Sequence, residues 1–403
     1  MAKNQYKKEP LKNNVEEMFI GPFGSSLKNE CFVDEEDAYC MVYEQKHAIQ
    51  KTLDGKNRFV DKNKYYELKR FTIKPGDIIV SCRGTIGETF IVPENAPLGI
   101  MHPSIMKIRL KPNVYNIEYF NLLLKNRLKD YNKSANGSGI KMAISATELG
   151  KEMFPIPPMD EQQKVSQIFL TVDRLIVLRQ QQLAKLDELV KARFVEMFGD
   201  PINNPMKWTV SKIEDITAQE KNALKAGPFG SALKKEFYVR SGYKIYGQEQ
   251  VICGDASFGD YYIDEEKYKE LKNCAVQAGD ILISLVGTYG KTLIMPDNYE
   301  AGIINPRLMK ITLNKNKVTP IYFKYYFESN ALKASMDANT HGGTMGILNL
   351  GIIRQMKIQV PPLSLQNQFA AFVERVDKQK QTVQQSLEKL ELMKKARMQE
   401  YFG

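Results

Sequence analysis

The sequence is poor in the residue types that most often build active sites and cross-links. Its 403 residues include one tryptophan, three histidines and five cysteines. The histidines His47, His102 and His341 are widely spaced, which argues against a zinc site or a catalytic triad. The cysteines are odd in number and form no CxxC pair, so we interpret them as reduced structural thiols.

Long apolar runs are also missing. No stretch approaches the roughly 20 apolar residues that span a bilayer. The first residues, MAKNQYKKEPLKNN, lack the apolar centre of a secretory signal. We therefore expect a cytoplasmic protein that does not enter a membrane.

The familiar catalytic motifs are absent as well. The sequence contains no GxxxxGKS phosphate loop and no HExxH metal motif. Its segments PIPPM and VPPL lack the polar residue and the terminal aromatic residue of the NPPY-type motif of adenine methyltransferases. The sequence therefore predicts a chain with no catalytic site, no cofactor and no metal of its own.

Positive charge is in excess. Lys and Arg number 57 against 47 for Asp and Glu, a formal net charge of +10. Such a chain is attracted to polyanions, and nucleic acid is the leading candidate. The length suits two domains of about 150 residues each plus connectors, and a hydrophobic content of 43% is typical of a globular protein.

An internal repeat is the most informative feature of the sequence. GPFGSSLK, which begins at Gly21, returns 206 residues later as GPFGSALK. Two further blocks return 203 residues later: KPGDIIVSCRGTIGETFIVP from Lys74 as QAGDILISLVGTYGKTLIMP, and GIMHPSIMKIRL from Gly99 as GIINPRLMKITL. The small drift indicates loop insertions within one duplicated unit.

Short β-branched runs that end in glycine turns predict strands in each copy, and residues 117–131 and 320–336 have helical spacing. The expected fold class is therefore mixed α/β (α+β). It comprises two similar globular domains, related by a pseudo-two-fold repeat and separated by an antiparallel two-helix coiled coil. The predicted segments are domain one at 1–155, a first spacer helix at 156–199, domain two at 200–360 and a second spacer helix at 361–403.

Each copy closes with a long helical stretch whose apolar residues advance by three and four positions alternately, as in a coiled-coil seam. We place the helix starts at the capping residues Asp160 and Ser364. Because the first helix leads into copy two and the second leaves it, mutual packing requires an antiparallel pair. The predicted seam residues are Phe169, Val172, Ile176, Leu183, Leu186 and Val190 in the first helix, and Val373, Val376, Val383, Leu387 and Leu390 in the second.

One pattern loosely resembles a nuclease site. Asp37, followed by Glu44, Gln45 and Lys46, is similar to the acidic pair plus lysine of metal-dependent nucleases. Such a pattern is common by chance in a chain rich in these residues. It has no counterpart in the second copy, so we do not interpret it as a catalytic site.

Several of these motifs together resemble the specificity subunits of type I restriction–modification enzymes. They are the proline pairs before the long helices, the GPFGS turn, the GDI-strand-GT-G block and the MFGDP junction that ends near Trp208. The resemblance covers essentially the whole chain. It departs at the start, where the junction has only a shortened counterpart near Tyr6.

The resemblance implies a non-catalytic protein whose two globules are target recognition domains, each reading half of an asymmetric bipartite site in double-stranded DNA. It also implies two modification (methyltransferase) subunits that carry S-adenosylmethionine. Restriction (translocase and nuclease) subunits, which use ATP and Mg²⁺, would complete the assembly. Two alternatives stay open: a coiled-coil adaptor that binds only protein, and a fused DNA-cleaving enzyme.

The resemblance points to regions of DNA contact, and we select from them side chains suited to phosphates or base edges. The predicted DNA-binding residues are Ser25, Lys28, Arg83, His102, Ser104 and Lys141 in copy one, and Ser231, Lys234, Lys291, Asn305, Arg307 and His341 in copy two.

Overall fold

The computed structural model describes residues 6–135, 145–229, 231–288, 290–338 and 349–403. The chain forms two compact units, and each long helix is divided between them. The first unit comprises Met1–Leu178 with Ser386–Gly403, and the second comprises Arg179–Gln385. The predicted division into the segments 1–155, 156–199, 200–360 and 361–403 follows the order of the chain instead, and it stays a prediction.

Within the described residues, the first copy has ten strands and four shorter α-helices before the first long helix. The strands are β1 (Lys8–Pro10), β2 (Val15–Ile20), β3 (Cys40–Tyr43), β4 (Phe59–Val60), β5 (Thr72–Ile73), β6 (Ile78–Ser81), β7 (Thr89–Ile91), β8 (Gly99–Met101), β9 (Ile105–Leu110) and β10 (Met153–Pro155). The helices are α1 (Gln45–Gln50), α2 (Lys62–Glu67), α3 (Ile117–Ala135), α4 (Ala146–Lys151) and the long α5 (Met159–Phe198).

The second copy repeats this order with small changes. Its strands are β11 (Thr209–Lys212), β12 (Leu224–Ala226), β13 (Tyr243–Tyr246), β14 (Tyr262–Ile263), β15 (Ile281–Ser284), β16 (Thr292–Ile294), β17 (Gly302–Ile304), β18 (Leu308–Ile311) and β19 (Lys357–Val360). Its helices are α6 (Gln248–Cys253), α7 (Glu265–Glu270), α8 (Pro320–Phe327), α9 (Asn330–Ala338), α10 (Leu350–Gln355) and the long α11 (Leu363–Phe402).

Three layers build the first unit. An antiparallel sheet, β2-β9-β6-β7, lies between helices on one face and a second sheet, β4-β3-β8-β5, on the other. Successive residues of β6 point to opposite faces: Ile78 and Val80 join the core with α3 and α5, whereas Ile79 joins the core with β3 and β8. Strand β6 is therefore apolar on both faces of the central sheet.

The second unit has the same layers. Its sheets run β12-β18-β15-β16 and β14-β13-β17. In β15, Ile281 and Ile283 face the helices and Leu282 faces the smaller sheet. The strand that would correspond to β5 is reduced to a single bridge between Ala275 and Ile303. The prediction of a mixed α/β fold built from two similar domains is confirmed.

A buried aspartate from the GDI motif ties the central sheet together in each copy. Asp77 accepts two hydrogen bonds of 2.7 Å from the Arg109 guanidinium. Its counterpart Asp280 instead lies 3.0 Å from the Lys310 ammonium and also accepts from the Thr312 hydroxyl. A buried carboxylate requires such a partner, so this motif serves the fold.

Segments of the two long helices pack against each other in each unit, and both contacts are antiparallel. In the first unit the Phe169 ring lies 5.9 Å from Phe402, and Lys394 Nζ lies 2.5 Å from Asp173 Oδ1. In the second unit the Phe194 ring lies 5.4 Å from Phe369. The predicted seam residues Phe169, Val172, Val190, Val373, Val376, Val383 and Leu387 are buried, and Ile176, Leu183, Leu186 and Leu390 are half-buried.

The long helices start differently from the sequence-based prediction. Helix α5 begins at Met159, one residue before the expected cap Asp160, because the carbonyl of Pro158 accepts the first helical hydrogen bonds. The buried Gln162 then fixes the start: its Oε1 accepts from the Asn116 amide and its Nε2 donates to the Pro157 carbonyl. In copy two, Gln366 makes the same bonds to the Thr319 amide and the Pro361 carbonyl.

Candidate nucleic-acid interface

Three turns of the first copy meet at one edge of the central sheet. They are the first turn (residues 21–28) after β2, the second turn (82–88) between β6 and β7, and the third turn (102–104) between β8 and β9. The amide of Gly21 donates to the Ile105 carbonyl (2.9 Å), and the amide of Cys82 donates to the Ser104 carbonyl (2.9 Å). We call this group the three-turn edge.

Glycine is required where the first turn meets the third. A Cβ atom on Gly21 would lie 2.3 Å from the His102 carbonyl oxygen, a separation that real Cβ atoms do not reach. The second turn needs glycine for a different reason, since Gly84 and Gly87 have φ angles of +66° and +83°. The repeated GPFGS and GT-G motifs therefore encode how the turns fit together.

His102 presents a hydrogen-bond donor on the third turn. The amide of Ser104, which can only donate, lies 3.2 Å from His102 Nδ1. Nδ1 is therefore an acceptor, and the neutral ring carries its proton on Nε2. Burial lowers the pKa of His102 below 6.5, and the positive charges of Arg58 and Arg83 lower it further. The ring is therefore a neutral donor at neutral pH.

The second copy builds the same edge with residues 227–234, 285–291 and 305–307, of which Gly230 and Tyr289 lie outside the described residues. The amide of Gly227 donates to the Leu308 carbonyl (2.9 Å), and the amide of Leu285 donates to the Arg307 carbonyl (3.0 Å). A Cβ atom on Gly227 would lie 1.9 Å from the Asn305 carbonyl oxygen. The backbone contacts of the two edges therefore correspond one to one.

Asn305 occupies in copy two the position of His102 in copy one, and it accepts the same backbone hydrogen bond. Its Oδ1 accepts from the Arg307 amide at 2.9 Å, which leaves the Nδ2 hydrogens as donors. Two positions later, the small buried Ser104 is replaced by the exposed, cationic Arg307. The two third turns therefore share a backbone and differ in the groups they offer.

The second turns also differ. The exposed Arg83 of copy one corresponds to Val286 in copy two, 203 residues later. Lys291 corresponds to Glu88 rather than to Arg83, and it lies at the base of its turn. There it lines a pocket with Tyr325 and Glu328. Among the described residues that were predicted to bind DNA, Lys291 thus differs in its surroundings: it lies beside helix α8 rather than at the tip of a turn.

The first turns carry matching lysines and serines. Lys28 Nζ lies 3.8 Å from Glu30 and Lys234 Nζ lies 3.5 Å from Glu236, with both lysine side chains more than half exposed. Such exposed pairs are weak and break easily in favour of a phosphate. Ser25 and Ser231 are also exposed. The predicted residues Lys141 and His341 lie outside the described residues.

His47 is a structural residue. It is fully buried, its Nδ1 accepts from the Glu44 amide at 3.0 Å and its Nε2 lies 2.9 Å from Asn57 Oδ1. In copy two the same position holds Gln250, whose Oε1 accepts from the Gly247 amide at 2.9 Å. An amide does the same work as the imidazole, so the ring is needed only to cap α1.

The nuclease-like pattern resolves into local ion pairs. Glu44 is buried between Lys46 (3.3 Å) and Arg58 (3.6 Å), whereas Asp37 is exposed on a short 3-10 turn. Across the described ranges, no group of three His, Cys, Asp or Glu side chains is arranged to hold a metal ion. Within the same ranges, no helix is both long and apolar enough to cross a membrane.

The comparison with known families decides the identity. The family described as the type I restriction modification DNA specificity domain matches twice, over residues 36–188 and 205–392. The chain belongs to this family. Its members are non-catalytic DNA-recognition subunits, which confirms the predicted family and contradicts the alternative of a fused DNA-cleaving enzyme.

Relatives that carry the description of a type I restriction enzyme specificity subunit match along most of the chain. The MjaX specificity subunit of Methanocaldococcus jannaschii is 24% identical over 346 residues, covering 84% of this chain and 80% of the relative. The MjaVIII specificity subunit of the same organism is 20% identical, covering 81% and 78%. The EcoBI specificity subunit of Escherichia coli is 19% identical, covering 76% and 68%.

Solved structures of type I restriction–modification proteins share the fold of this specificity subunit. A chain from a structure of type I system assembly and conformational transition gives a TM-score of 0.65 at 13% identity, covering 100% of this chain and 98% of the other. The S subunit from M. genitalium gives a TM-score of 0.55 at 14% identity, with the same coverage.

Sequence reasoning missed two pairs of residues at the three-turn edge of this specificity subunit. Phe23 and Phe229 stand at the tips of the first turns with 87% and 90% of their surface exposed. Gln45 and Gln248 lie at the starts of α1 and α6, where Gln45 Nε2 comes near Gly84 and Gln248 Nε2 donates to the Val286 carbonyl. The sequence did contain a signal for both pairs: GPFGS occurs in both copies, and YEQ at residues 43–45 returns as YGQ at 246–248.

Proposed function

We propose that this chain recognises an asymmetric, bipartite site in double-stranded DNA, with the three-turn edge of each copy reading one half. The observation that carries the proposal is the repeated edge itself: corresponding backbone contacts present His102, with the buried Ser104 beneath it, in one copy, and Asn305 with the exposed Arg307 in the other. Two edges with the same backbone contacts but different side-chain hydrogen-bond donors suit two half-sites of different sequence.

The chemistry of the edge fits base and phosphate recognition. Arg83 and Arg307 can each donate two hydrogen bonds to the O6 and N7 acceptors of guanine in the major groove, and Asn305 is suited to adenine. The neutral His102 can donate from Nε2 to one base acceptor. Lys28 and Lys234, with Ser25 and Ser231 beside them, are suited to phosphates, which fix position without reading sequence.

Lys291 is exposed, and a phosphate contact there would come from the base of the second turn. Lys141 and His341 stay predictions from the sequence.

Partner proteins complete the proposal. We expect two modification subunits, which bring S-adenosylmethionine and methylate adenine, and restriction subunits, which use ATP and Mg²⁺. The long helices offer a docking surface for such partners, since Leu170, Val177 and Leu178 on α5 are about half exposed. The membership of the family and the matches to whole specificity subunits support this assignment.

A methylation map tests the proposed function. Methylated adenines are mapped across the genome with the gene present, deleted, or altered by exchange of residues 1–155 for those of another family member. We expect a motif with an unread gap that disappears on deletion. Exchange of 1–155 changes one half of the motif, and the matched exchange of 200–360 changes only the other half.

Two outcomes contradict the proposal. Methylation that is unchanged on deletion would favour the alternative of an adaptor that binds only protein. A continuous motif, or an exchange that alters both halves, would contradict the assignment of one half-site to each copy.

A further inference from the structure

The tip of each first turn exposes an aromatic ring that the fold does not use. Phe23 is 87% exposed and Phe229 is 90% exposed, whereas Leu27 and Leu233 in the same turns are 4% and 6% exposed. Leaving a phenyl ring in water forgoes the stabilisation that burial would give. The turn thus buries its leucine and holds its phenylalanine outward.

The turn itself depends on the backbone of the phenylalanine, not on its ring. The Phe23 carbonyl accepts from the Ser26 amide, and the Phe229 carbonyl accepts from the Ala232 amide, both at 2.8 Å. These bonds survive when the side chain is shortened. The hydrogen bonds that close the turn therefore do not involve the outward ring.

A comparison of the two copies indicates what kind of role the ring has. Residues that would read bases differ between the edges: His102 against Asn305, and Arg83 against Val286. The exposed phenylalanine is present in both copies at the same position and with the same exposure. A group shared by two edges of different specificity contributes to binding without depending on the base sequence.

An exposed aromatic ring between phosphate-binding and base-reading groups suits insertion against bases. The first turn contacts the third turn at Gly21 and carries Lys28 a few residues after the ring. Apolar side chains that insert between base steps partially unstack them, and every base offers a face for stacking whatever its identity.

Building on the proposed function, we infer that Phe23 and Phe229 are wedges, each of which inserts against the bases of its own half-site and unstacks a base step. The wedge adds affinity that is equal for all sequences, whereas the third turn selects among sequences. One ring serves each half-site.

The experiment uses the full chain and a duplex that carries its methylation motif, with 2-aminopurine replacing in turn each adenine, on either strand, of both half-sites. Unstacking raises the fluorescence of 2-aminopurine. The variants are Phe23→Ala and Phe229→Ala, with Phe258→Ala as a control because this phenylalanine is 52% exposed but lies outside the three-turn edge. Binding to a duplex without the motif is measured in parallel.

We expect Phe23→Ala to abolish the fluorescence rise in the first half-site only, and Phe229→Ala in the second only. Each variant weakens binding about 5- to 150-fold, and by the same factor on the duplex without the motif. Phe23→Leu keeps the apolar wedge but removes ring stacking, so it lies between Phe23→Ala and the unaltered chain. Phe258→Ala changes neither readout.

Three results would overturn the inference. One is binding within twofold of the unaltered chain together with an unchanged fluorescence pattern. Another is normal DNA binding with loss of the modification subunits, which would make the rings a protein contact. The third is an unaltered chain that selects no motif: this also refutes the proposed function, whereas the first two results leave it intact.

Discussion

The third turns of the two copies have corresponding backbone hydrogen bonds but carry different side chains. In both third turns a backbone amide donates a hydrogen bond to the side chain two residues earlier, yet one turn carries His102 over the buried Ser104 and the other carries Asn305 and the exposed Arg307. Buried supports also differ in chemistry, since Asp77 binds Arg109 where Asp280 binds Lys310. A duplicated frame thus tolerates different chemistry wherever each polar group finds a partner.

The largest expected effect on stability comes from removing the buried aspartate that each copy has in its central sheet. Asp77→Ala leaves Arg109 without its buried partner, and Asp280→Ala does the same to Lys310. Breaking a buried ion pair costs about 3–5 kcal/mol. Hydrogen exchange, followed by mass spectrometry, should show that loss only in the unit that carries the change.

The matched controls are aspartates that cap short helices. Asp61 accepts from the Lys64 amide and Asp264 accepts from the Lys267 amide, at 2.7 and 2.8 Å. Their replacement by alanine should cost about 1 kcal/mol. An equally small loss for Asp77→Ala would show that its ion pair does not support the sheet.

The arginines test how the two edges divide the reading of DNA, with a smaller effect. Arg83→Ala should weaken binding to duplexes with an intact first half-site, and Arg307→Ala those with an intact second half-site, each by about 1–3 kcal/mol. Competition between duplexes altered in one half measures the change. Arg174→Ala removes the same charge from an exposed position on α5 and should leave discrimination between the duplexes unchanged.

If Arg83→Ala weakens binding equally to every duplex, the residue contacts a phosphate rather than a base. If it alters recognition of both halves, the comparison of separate edges fails.

The smallest expected effect is that of acidic pH on the stability of the first unit, whose two described histidines are buried or half-buried. Burial lowers the pKa of both His47 and His102 below 6.5. As the pH falls through 6.5, the unfolded chain therefore binds protons before the folded chain does, and the free energy of unfolding of the first unit decreases. This loss is complete once the pH is below the folded-state pKa values.

Urea unfolding between pH 8 and 5, followed unit by unit through hydrogen exchange, measures the difference. His47→Gln installs the side chain that copy two uses at this position and should reduce the pH dependence of the first unit without unfolding it. A pH dependence that His47→Gln does not change would assign the effect to His102 or to carboxylates.

Repetition and periodicity were enough to predict the two mixed α/β domains and the two long helices, but not the layers within each domain. The offset between copies located the same turns twice, and the spacing of Phe169, Val172 and Val190 located a buried helix face. Both signals report local geometry that every copy must satisfy. The helix start at Pro158 was missed because a tertiary contact, the Gln162 side chain on Asn116, replaces the local cap.

The candidate site was harder to predict, because three-dimensional contacts decide which turns meet. The sequence grouped Arg83 with Lys291 by motif, whereas the structure places Lys291 at the base of its turn beside Tyr325. The exposure of Phe23 and Phe229 also escaped sequence reasoning, since an aromatic residue between Pro and Gly is as compatible with a core position as with a tip. Burial is a property of the whole unit.

The close approach of Gly21 to the His102 carbonyl, and of Gly227 to the Asn305 carbonyl, has an implication for altering what the protein recognises. Each glycine allows this close contact and so fixes the path of the neighbouring main chain. Exposed side chains on that main chain can therefore be exchanged as long as the glycine is kept. On the proposed function, His102→Asn is thus a one-residue route to a new first half-site, provided that Gly21 is kept, whereas the buried position of Ser104 does not suit an arginine.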